Sequence, residues 1–522
     1  MDIRFHSANK VSIRSECLIF PTFENANDAI KKRFYGTVVE WICNTEALTD
    51  YSGKKNDITV CYGKDTASIP RVILVGMGDK TTADIADFRN AVAAAVRRCR
   101  ELRVARVSVV LEDFAAIGTA MGRSREDMLR EGLTAALLAA YSCVEYRSAE
   151  ARAKGKKNND PKFCAPESLT IFHRVKHIPP QLRVPVRIAE AEAAGICLAR
   201  DLVNAPANIM TPSRVAEEAV ALAKRHGLGC RVLSKAELVK LGMGALLAVS
   251  NGSQEAPRFV VLEFAPNGVR KRSPLVLVGK GITFDTGGIS LKPSAGMADM
   301  KGDMAGAAAV LGTFEALGRF PEGVLHPVVG LLPLAENMPD GMATRPGDVV
   351  TSFSGKTVEI LNTDAEGRLI LCDALSYAQK NWNPLAIVDI ATLTGACMVA
   401  LGRGAAGLFS NNDALRDAVL EAGKGTDDTL WPMPLWDKMA EGLQSTVADI
   451  ANVGLREGGA ISAAVFLKSF VDSSVPWAHL DMAGAGITDK GTPITPKGAT
   501  GFGVRTLYAL VRHVCEKTFK QA

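Results

Sequence analysis

The sequence predicts an α/β protein of two domains. A smaller N-terminal α/β domain spans residues 1–180, and a larger C-terminal domain spans 187–522 on a central mixed, mostly parallel sheet flanked by helices. Three observations predict this. The chain has 522 residues, room for two or three domains. Short apolar runs alternate with helix-length stretches in both halves. Between the halves the composition shifts to basic and proline-punctuated sequence.

In the first half, Val11 to Phe20, Ile58 to Tyr62, Arg71 to Val75 and Val107 to Leu111 read as strands. Ala83 to Leu102 and Ser124 to Val144 read as helices. Then Arg147, Arg152, Lys154, Lys156, Lys157 and Lys162 cluster with Gly155, Asn158 and Asn159, and Pro161, Pro166, Pro179, Pro180 and Pro185 follow. This predicts an exposed loop over 148–165 and a boundary near 180–187. No aromatics interleave the lysines, so a solvated loop explains them better than a nucleic-acid surface.

In the second half, Arg187 to Leu202 predicts a helix, and Thr211-Pro212-Ser213 with Glu217 opens another. Strands follow at Phe259 to Phe264, Leu275 to Val278, Val324 to Leu332, Val358 to Leu361 and Leu385 to Ile390. Helices are expected at Asp303 to Leu317, Arg368 to Gln379 and Ala460 to Val471.

Hydrophobic residues make up 47% and charged residues 22%, the balance of a globular protein with cores that need no staples. The formal charge of +5 argues against bulk-charge binding to nucleic acid. Eleven cysteines, an odd number without any Cys-x-x-Cys, point to buried reduced thiols in the cytoplasm. The Met1-Asp2-Ile3-Arg4 start predicts no secretory leader, and no apolar run reaches the ~20 residues of a membrane span.

Two stretches could carry chemistry. The first, Gly279-Lys280-Gly281-Ile282-Thr283-Phe284-Asp285-Thr286-Gly287-Gly288, leaves a buried strand and is followed by Lys292, Asp299 and Asp303. Ligands of open α/β sheets sit at such carboxyl ends. Asp303 opens an apolar segment, where an N-cap or dipole partner is the simplest role for it. The second is Asn362-Thr363-Asp364-Ala365-Glu366-Gly367-Arg368-Leu369. If it is extended, Asp364, Glu366 and Arg368 share a side, and two carboxylates ~7 Å apart call for a cation between them. A solvent-exposed turn is the plainer alternative.

Together, Asp285, Asp303, Asp364 and Glu366 could hold two divalent ions that activate one water. Neither stretch contains histidine, so Lys280, as a neutral amine, is the only nitrogen candidate. Other signatures fail. Asp285-Thr286-Gly287 lacks the second Asp–Gly element of an aspartic protease, Gly355-Lys356-Thr357 lacks the P-loop glycine, and Gly484-Ala485-Gly486 lacks a dinucleotide fingerprint. His479, in the strand-like Trp477-Ala478-His479, reads as a satisfied core histidine.

The two stretches resemble the metal-binding blocks of the cytosolic leucyl aminopeptidase family. Arg200-Asp201-Leu202-Val203-Asn204-Ala205-Pro206 and Ala391-Thr392-Leu393-Thr394-Gly395-Ala396 are similar to further blocks of it, and the resemblance covers about 187–515. It implies a metal-dependent exopeptidase that releases N-terminal leucine and other apolar residues through a metal-bridged water. Lys280, Asp285, Asp303 and Glu366 would hold the tight metal. Asp285, Asp364 (side chain and carbonyl) and Glu366 would hold the exchangeable one. The ions would be Zn2+, with Mn2+, Co2+ or Mg2+ possible at the exchangeable site. Lys292 would polarise the scissile carbonyl, and Arg368 would orient a bicarbonate acting as base. Met300, Asn362, Thr392 and Leu393 would border the substrate. The resemblance further implies a homohexamer. A dipeptidase acting on cysteinyl-glycine, an added DNA-binding role and a two-metal phosphoesterase are the alternatives.

Overall fold

The computed structural model describes residues 1–7, 15–34, 40–44, 46–63, 68–157, 160–161, 164–173, 179–266 and 272–513. Residues 11–14 of the first expected strand, Asn158, Asn159, Lys162, His177, Cys515 and the C-terminal residues lie outside them. The chain forms two compact units, one of residues 1–193 with 490–497 and one of 194–489 with 498–522. They divide within the helix Arg183–Asn204, a little beyond the expected boundary, and a short segment from far along the chain joins the first unit.

The first unit is an α/β layer structure. Its strands are β1 (Asp2–Ser7), β2 (Cys17–Thr22), β3 (Ile58–Tyr62), β4 (Arg71–Gly76), β5 (Arg106–Val110) and β6 (Ser168–His173), in the sheet order β1-β6-β5-β2-β4-β3. All pairings are parallel except β3 with β4. The helix Ile85–Glu101 starts at Asp84, whose side chain accepts from Asp87 N while Asp87 caps back, a reciprocal capping box. The basic segment expected as a loop is instead the helix Ala149–Lys157, none of it buried. Its Ala, Glu, Arg and Lys residues are strong helix formers, and that propensity outweighs the single glycine.

The second unit contains β7 (Gly229–Leu233), β8 (Arg258–Phe264), β9 (Leu275–Gly279), β10 (Gly281–Asp285), β11 (Val328–Asn337), β12 (Asp348–Thr351), β13 (Thr357–Ile360), β14 (Ala386–Ala391), β15 (Ala405–Ser410), β16 (Thr429–Pro432), β17 (Ile450–Ala451) and β18 (Trp477–Asp481). The main sheet runs β16-β15-β18-β14-β9-β11-β8-β7, with β10 also beside β11. Five of its eight pairings are parallel, so the sheet is mixed and mostly parallel as expected. A small sheet orders β12-β13-β17.

Helices Ala305–Arg319 and Gly367–Asn381 both pack on β9, β11 and β14. Strand β9 is buried throughout, because its alternate residues meet a helix layer on each face. Val276 and Val278 join Ile370, Leu371 and Leu375 in one large apolar core. The first of these helices begins at Ala305 rather than Asp303, and Met304 stands at its N-cap. Asp303 closes the preceding 3-10 turn Met297–Gly302, so the expected capping role does not apply.

A candidate metal centre at the strand ends

Strands β9, β14 and β18 run parallel, and β11 runs parallel to β9. Their carboxyl ends therefore share one edge of the sheet, the place where side chains can converge without unpairing the ladder. Lys280 sits at the joint between β9 and β10, with its backbone N–H on Ile390 O. Asp285 ends β10. Lys292 follows on the next loop, Met300 lies in the 3-10 turn, and Thr392 and Leu393 follow β14.

The segment after β13 is not extended. Thr363 and Asp364 form a turn, and Glu366 already has helical dihedrals (φ −76°, ψ −35°) at the cap of the helix Gly367–Asn381. The carboxylates thus meet through a turn running into a helix rather than through strand alternation. The turn is fixed by its polar groups. Asn362 Oδ1 accepts from Asp364 N, and Thr363 Oγ1 donates to Gly287 O at 2.6 Å. A Cβ at Gly367 would lie 2.7 Å from Lys280 Nζ, so any larger residue there would push the end of the lysine out of its place among the carboxylates.

Asp285, Asp364 and Glu366 each present an oxygen within 4.8 Å of the others'. Lys280 Nζ lies 2.8 Å from Asp303 Oδ2, 2.8 Å from Glu366 Oε1 and 2.9 Å from Thr392 O. Asp303 Oδ2 is paired with the Lys280 ammonium, while Asp303 Oδ1 accepts from Thr392 Oγ1 at 2.7 Å. Lys292 Nζ lies 2.8 Å from Asp285 Oδ2 and also pairs with Asp364.

Four carboxylates against two ammonium groups leave the cluster with excess negative charge in a buried place. Burial, then the Glu366 charge, raises Asp285, against the pull of Lys292 and Lys280. Burial raises Asp303 strongly and Asp364 as well. Burial pushes Lys280 down, but Asp303, Glu366 and Asp285 outweigh it and hold its ammonium form. Oxygen-rich, buried and carrying more negative than positive charge, these residues fit hard or borderline divalent cations. A cation binding beside Lys280 would replace its proton.

A cavity of about 470 Å3 opens over the cluster. Lys280, Asp285, Lys292, Met300, Asp303, Asp364, Glu366, Thr392 and Leu393 line it, and Met398 and Ile487 add apolar wall. Asn362 and Arg368 are not among the lining residues. Arg368 is 7% exposed. Its Nη1 donates to Asn452 O at 2.7 Å, and its Nε has no hydrogen-bond partner among the described residues. Burial pushes its guanidinium down to about 10, partly offset by Glu366 and Asp481.

Sequence reasoning missed the residues that hold these groups in place. Asn337, at the end of β11, donates from Nδ2 to Asp285 Oδ1 and to Thr363 O. Asp481, at the end of β18, accepts from Leu393 N, Thr394 N, Ala483 N and Thr394 Oγ1, and so fixes the loop that carries Thr392. The available signal was a polar residue closing a mostly apolar strand in each case. His479 is the core residue expected but only half satisfied. Fully buried, its Nδ1 lies 2.5 Å from Asp389 Oδ1, and the other Asp389 oxygen accepts from Trp477 Nε1, while His479 Nε2 has no hydrogen-bond partner among the described residues.

Residues 197–508 match the model of the cytosol aminopeptidase family catalytic domain, and residues 23–150 match that of the family's N-terminal domain. Two curated relatives named "Probable cytosol aminopeptidase" are similar over nearly the whole chain. The one from Nitratidesulfovibrio vulgaris is 48% identical, covering 98% of this chain and 99% of its own. The one from Oleidesulfovibrio alaskensis is 44% identical, covering 98% of each. Among solved structures, a tomato leucine aminopeptidase variant superposes with a TM-score of 0.84 at 33% identity, covering 98% of this chain and 97% of that one. The bottromycin maturation enzyme BotP in complex with Mn gives 0.81 at 36%, covering 95% and 99%.

Proposed function

The chain belongs to the cytosol aminopeptidase family and is a metal-dependent exopeptidase acting at peptide N-termini, and from that premise we propose that its reaction runs at the lysine–carboxylate cluster under the cavity. Asp285, Asp303, Glu366 and Lys280 would hold one divalent ion, and Asp285, Asp364 and Glu366 a second. Zn2+ is the expected resident, with Mn2+, Co2+ or Mg2+ at the exchangeable position. The ions would supply Lewis acidity and a water acidified toward neutrality. The observation that carries this reading is the meeting of Asp285, Asp364 and Glu366 oxygens within 4.8 Å beside a buried lysine.

Within that reading the chain's own residues divide the work. Asp285, Asp364 and Glu366 supply the negative charge that anchors a cationic centre. The Lys292 ammonium, 20% exposed at the cavity wall, can donate to a carbonyl oxygen and to the oxyanion it becomes. Arg368 presents a buried cation whose Nε is unspent, which supports a role in orienting an anion such as bicarbonate, the proposed base. Met300, Leu393, Met398 and Ile487 give the cavity an apolar side, which supports a preference for leucine-like first residues. Thr392 would border the same pocket, with Asn362 as the support of the Asp364 turn.

The test is a comparison of leucine amide with its N-acetylated form, before chelation, after it, and with each metal restored. Cleavage of the free amine alone, lost on chelation and regained with metal, is expected. Equal turnover of both substrates contradicts the reading. A homohexamer in the cytoplasm completes the proposal, and light scattering tests the assembly. The relatives' printed name, cytosol aminopeptidase, supports that compartment, and among the described residues no helix is apolar and long enough to cross a membrane.

A further inference from the structure

Asn452 follows the short strand β17, which pairs with β13, and its side chain is fully buried. Every polar atom it has is spent on the segment 359–368. Its N–H donates to Glu359 O at 2.9 Å. Its Oδ1 accepts from Leu361 N at 2.9 Å and from Asn362 N at 3.3 Å. Its Nδ2 donates to Asn362 O at 2.7 Å and, more loosely, to Ala365 O at 3.5 Å. Its carbonyl oxygen accepts from Arg368 Nη1 at 2.7 Å.

The side-chain amide therefore continues the β13 pairing one step past the strand, where the chain must turn. It offers the acceptor and donor that a neighbouring strand's peptide group would. The main chain of the same residue holds the guanidinium. Side chain and carbonyl are joined through one Cα, so the turn bearing Asp364 and Glu366 cannot shift without moving the acceptor of Arg368. No other side chain of this size supplies both the acceptor and the donor, while the carbonyl that holds Arg368 belongs to the main chain. Aspartate would lose the donated bonds and bring a charge, and alanine would leave Leu361 N and Asn362 O unpaired in a buried place.

We propose that Asn452 is a positioning residue that locks Arg368 to the carboxylate-bearing turn, so that the guanidinium and the metal cluster keep one fixed spacing. The proposal rests on the reading of Arg368 as part of the catalytic machinery. Neither Asn452 nor Arg368 is among the residues lining the cavity, so substrate affinity is left largely alone. The effect falls on turnover.

The test is a double-variant cycle on the metal-loaded, full-length enzyme with leucine amide, read with metal content and melting temperature. Asn452→Ala is expected to bind as much metal as the unmodified enzyme, to keep KM within about twofold, and to lose kcat by about ten- to hundredfold. Adding it to Arg368→Ala should cost little beyond Arg368→Ala alone, because both changes undo the same placement. Full turnover in Asn452→Ala, losses that multiply in the double variant, or metal lost in parallel with activity would each overturn the proposal. If Arg368→Ala itself turns over normally, the reading of Arg368 fails and the proposal falls with it. An impaired Arg368→Ala beside a normal Asn452→Ala sinks the proposal alone. Should Asn452→Ala not fold, Asn452→Ser, which keeps an acceptor for Leu361 N, enters the same cycle.

Discussion

Asn337 Nδ2 donates at 2.8 Å to Asp285 Oδ1, the oxygen on the far side of the carboxylate from Lys292. Because the same amide nitrogen also donates to Thr363 O, Asn337 ties together the two stretches of sequence that carry the acidic residues. Asn337→Ala should weaken metal binding by about ten- to hundredfold while leaving the fold intact. Metal titration of the chelated variant, followed by melting temperature, checks it. An unchanged affinity would assign Asn337 to structure only.

Asp285 contacts Lys292 directly and belongs to the cluster that gathers Asp364 and Glu366. Asp285→Ala should therefore lose metal and activity in step, because it removes charge from both proposed ion positions. Metal stoichiometry by elemental analysis, set against the rate on leucine amide, reads this directly. An active variant carrying its full metal complement would refute the shared-ligand role.

Lys292 is expected to behave differently. Lys292→Ala should hold its metals, yet kcat should fall by about a hundred- to thousandfold, the usual cost of losing one charge-stabilising donor. Steady-state kinetics on the metal-replete variant measures it. Wild-type turnover there would remove Lys292 from the chemistry.

His479 gives a pH signature from the core beside the site, where both Asp481 and Arg368 act on it. Burial pushes its imidazole down, but the Asp389 charge and hydrogen bond, with Asp481 behind them, hold it above the ordinary 6.5. A raised folded-state value means that protonation favours the fold. The contribution is complete below 6.5 and fades as pH rises through the folded value. His479→Gln should thus destabilise most at about pH 5.5 and less at about pH 9, with a loss of about 1–3 kcal/mol for the broken buried contact. Denaturant melts at both pH values decide it, and a gap that widens with pH would contradict the assignment.

The thiols provide a test of burial. Cys143 is exposed, while Cys17, Cys99, Cys372 and Cys397 are buried. Burial holds Cys372 well above the usual thiol range and pushes Cys397 up to about 12. A native thiol titration should label Cys143 quickly and leave these four silent, whereas all eleven cysteines should react in denaturant. Fast native labelling of the four would mean a looser core.

The α/β class, the mixed sheet and the stretch around Lys280 and Asp285 were legible because each has a local pattern. Apolar runs of strand length stand before turn residues, and acidic groups crowd where a sheet ends. Three local expectations failed: Asp303 closes a 3-10 turn instead of capping the helix that follows, and two segments take another backbone form. Residues 362–366 turn rather than extend, since Thr363 and Asn362 spend their polar groups on the turn. The basic segment forms the helix Ala149–Lys157 because its lysines, arginine and alanines suit a solvated helix as well as a loop.

By itself the sequence determined which residues can bear metal-binding charge, since that chemistry resides in side-chain types at short spacing. Only the tertiary structure decided what holds them. Asn337 reaches Asp285 across 52 positions, Asp481 reaches Thr394 across 87, and Asn452 reaches Leu361 across 91. A polar residue at a strand end has no periodicity to betray it. Its meaning comes from a partner that the sheet order alone brings within hydrogen-bonding range.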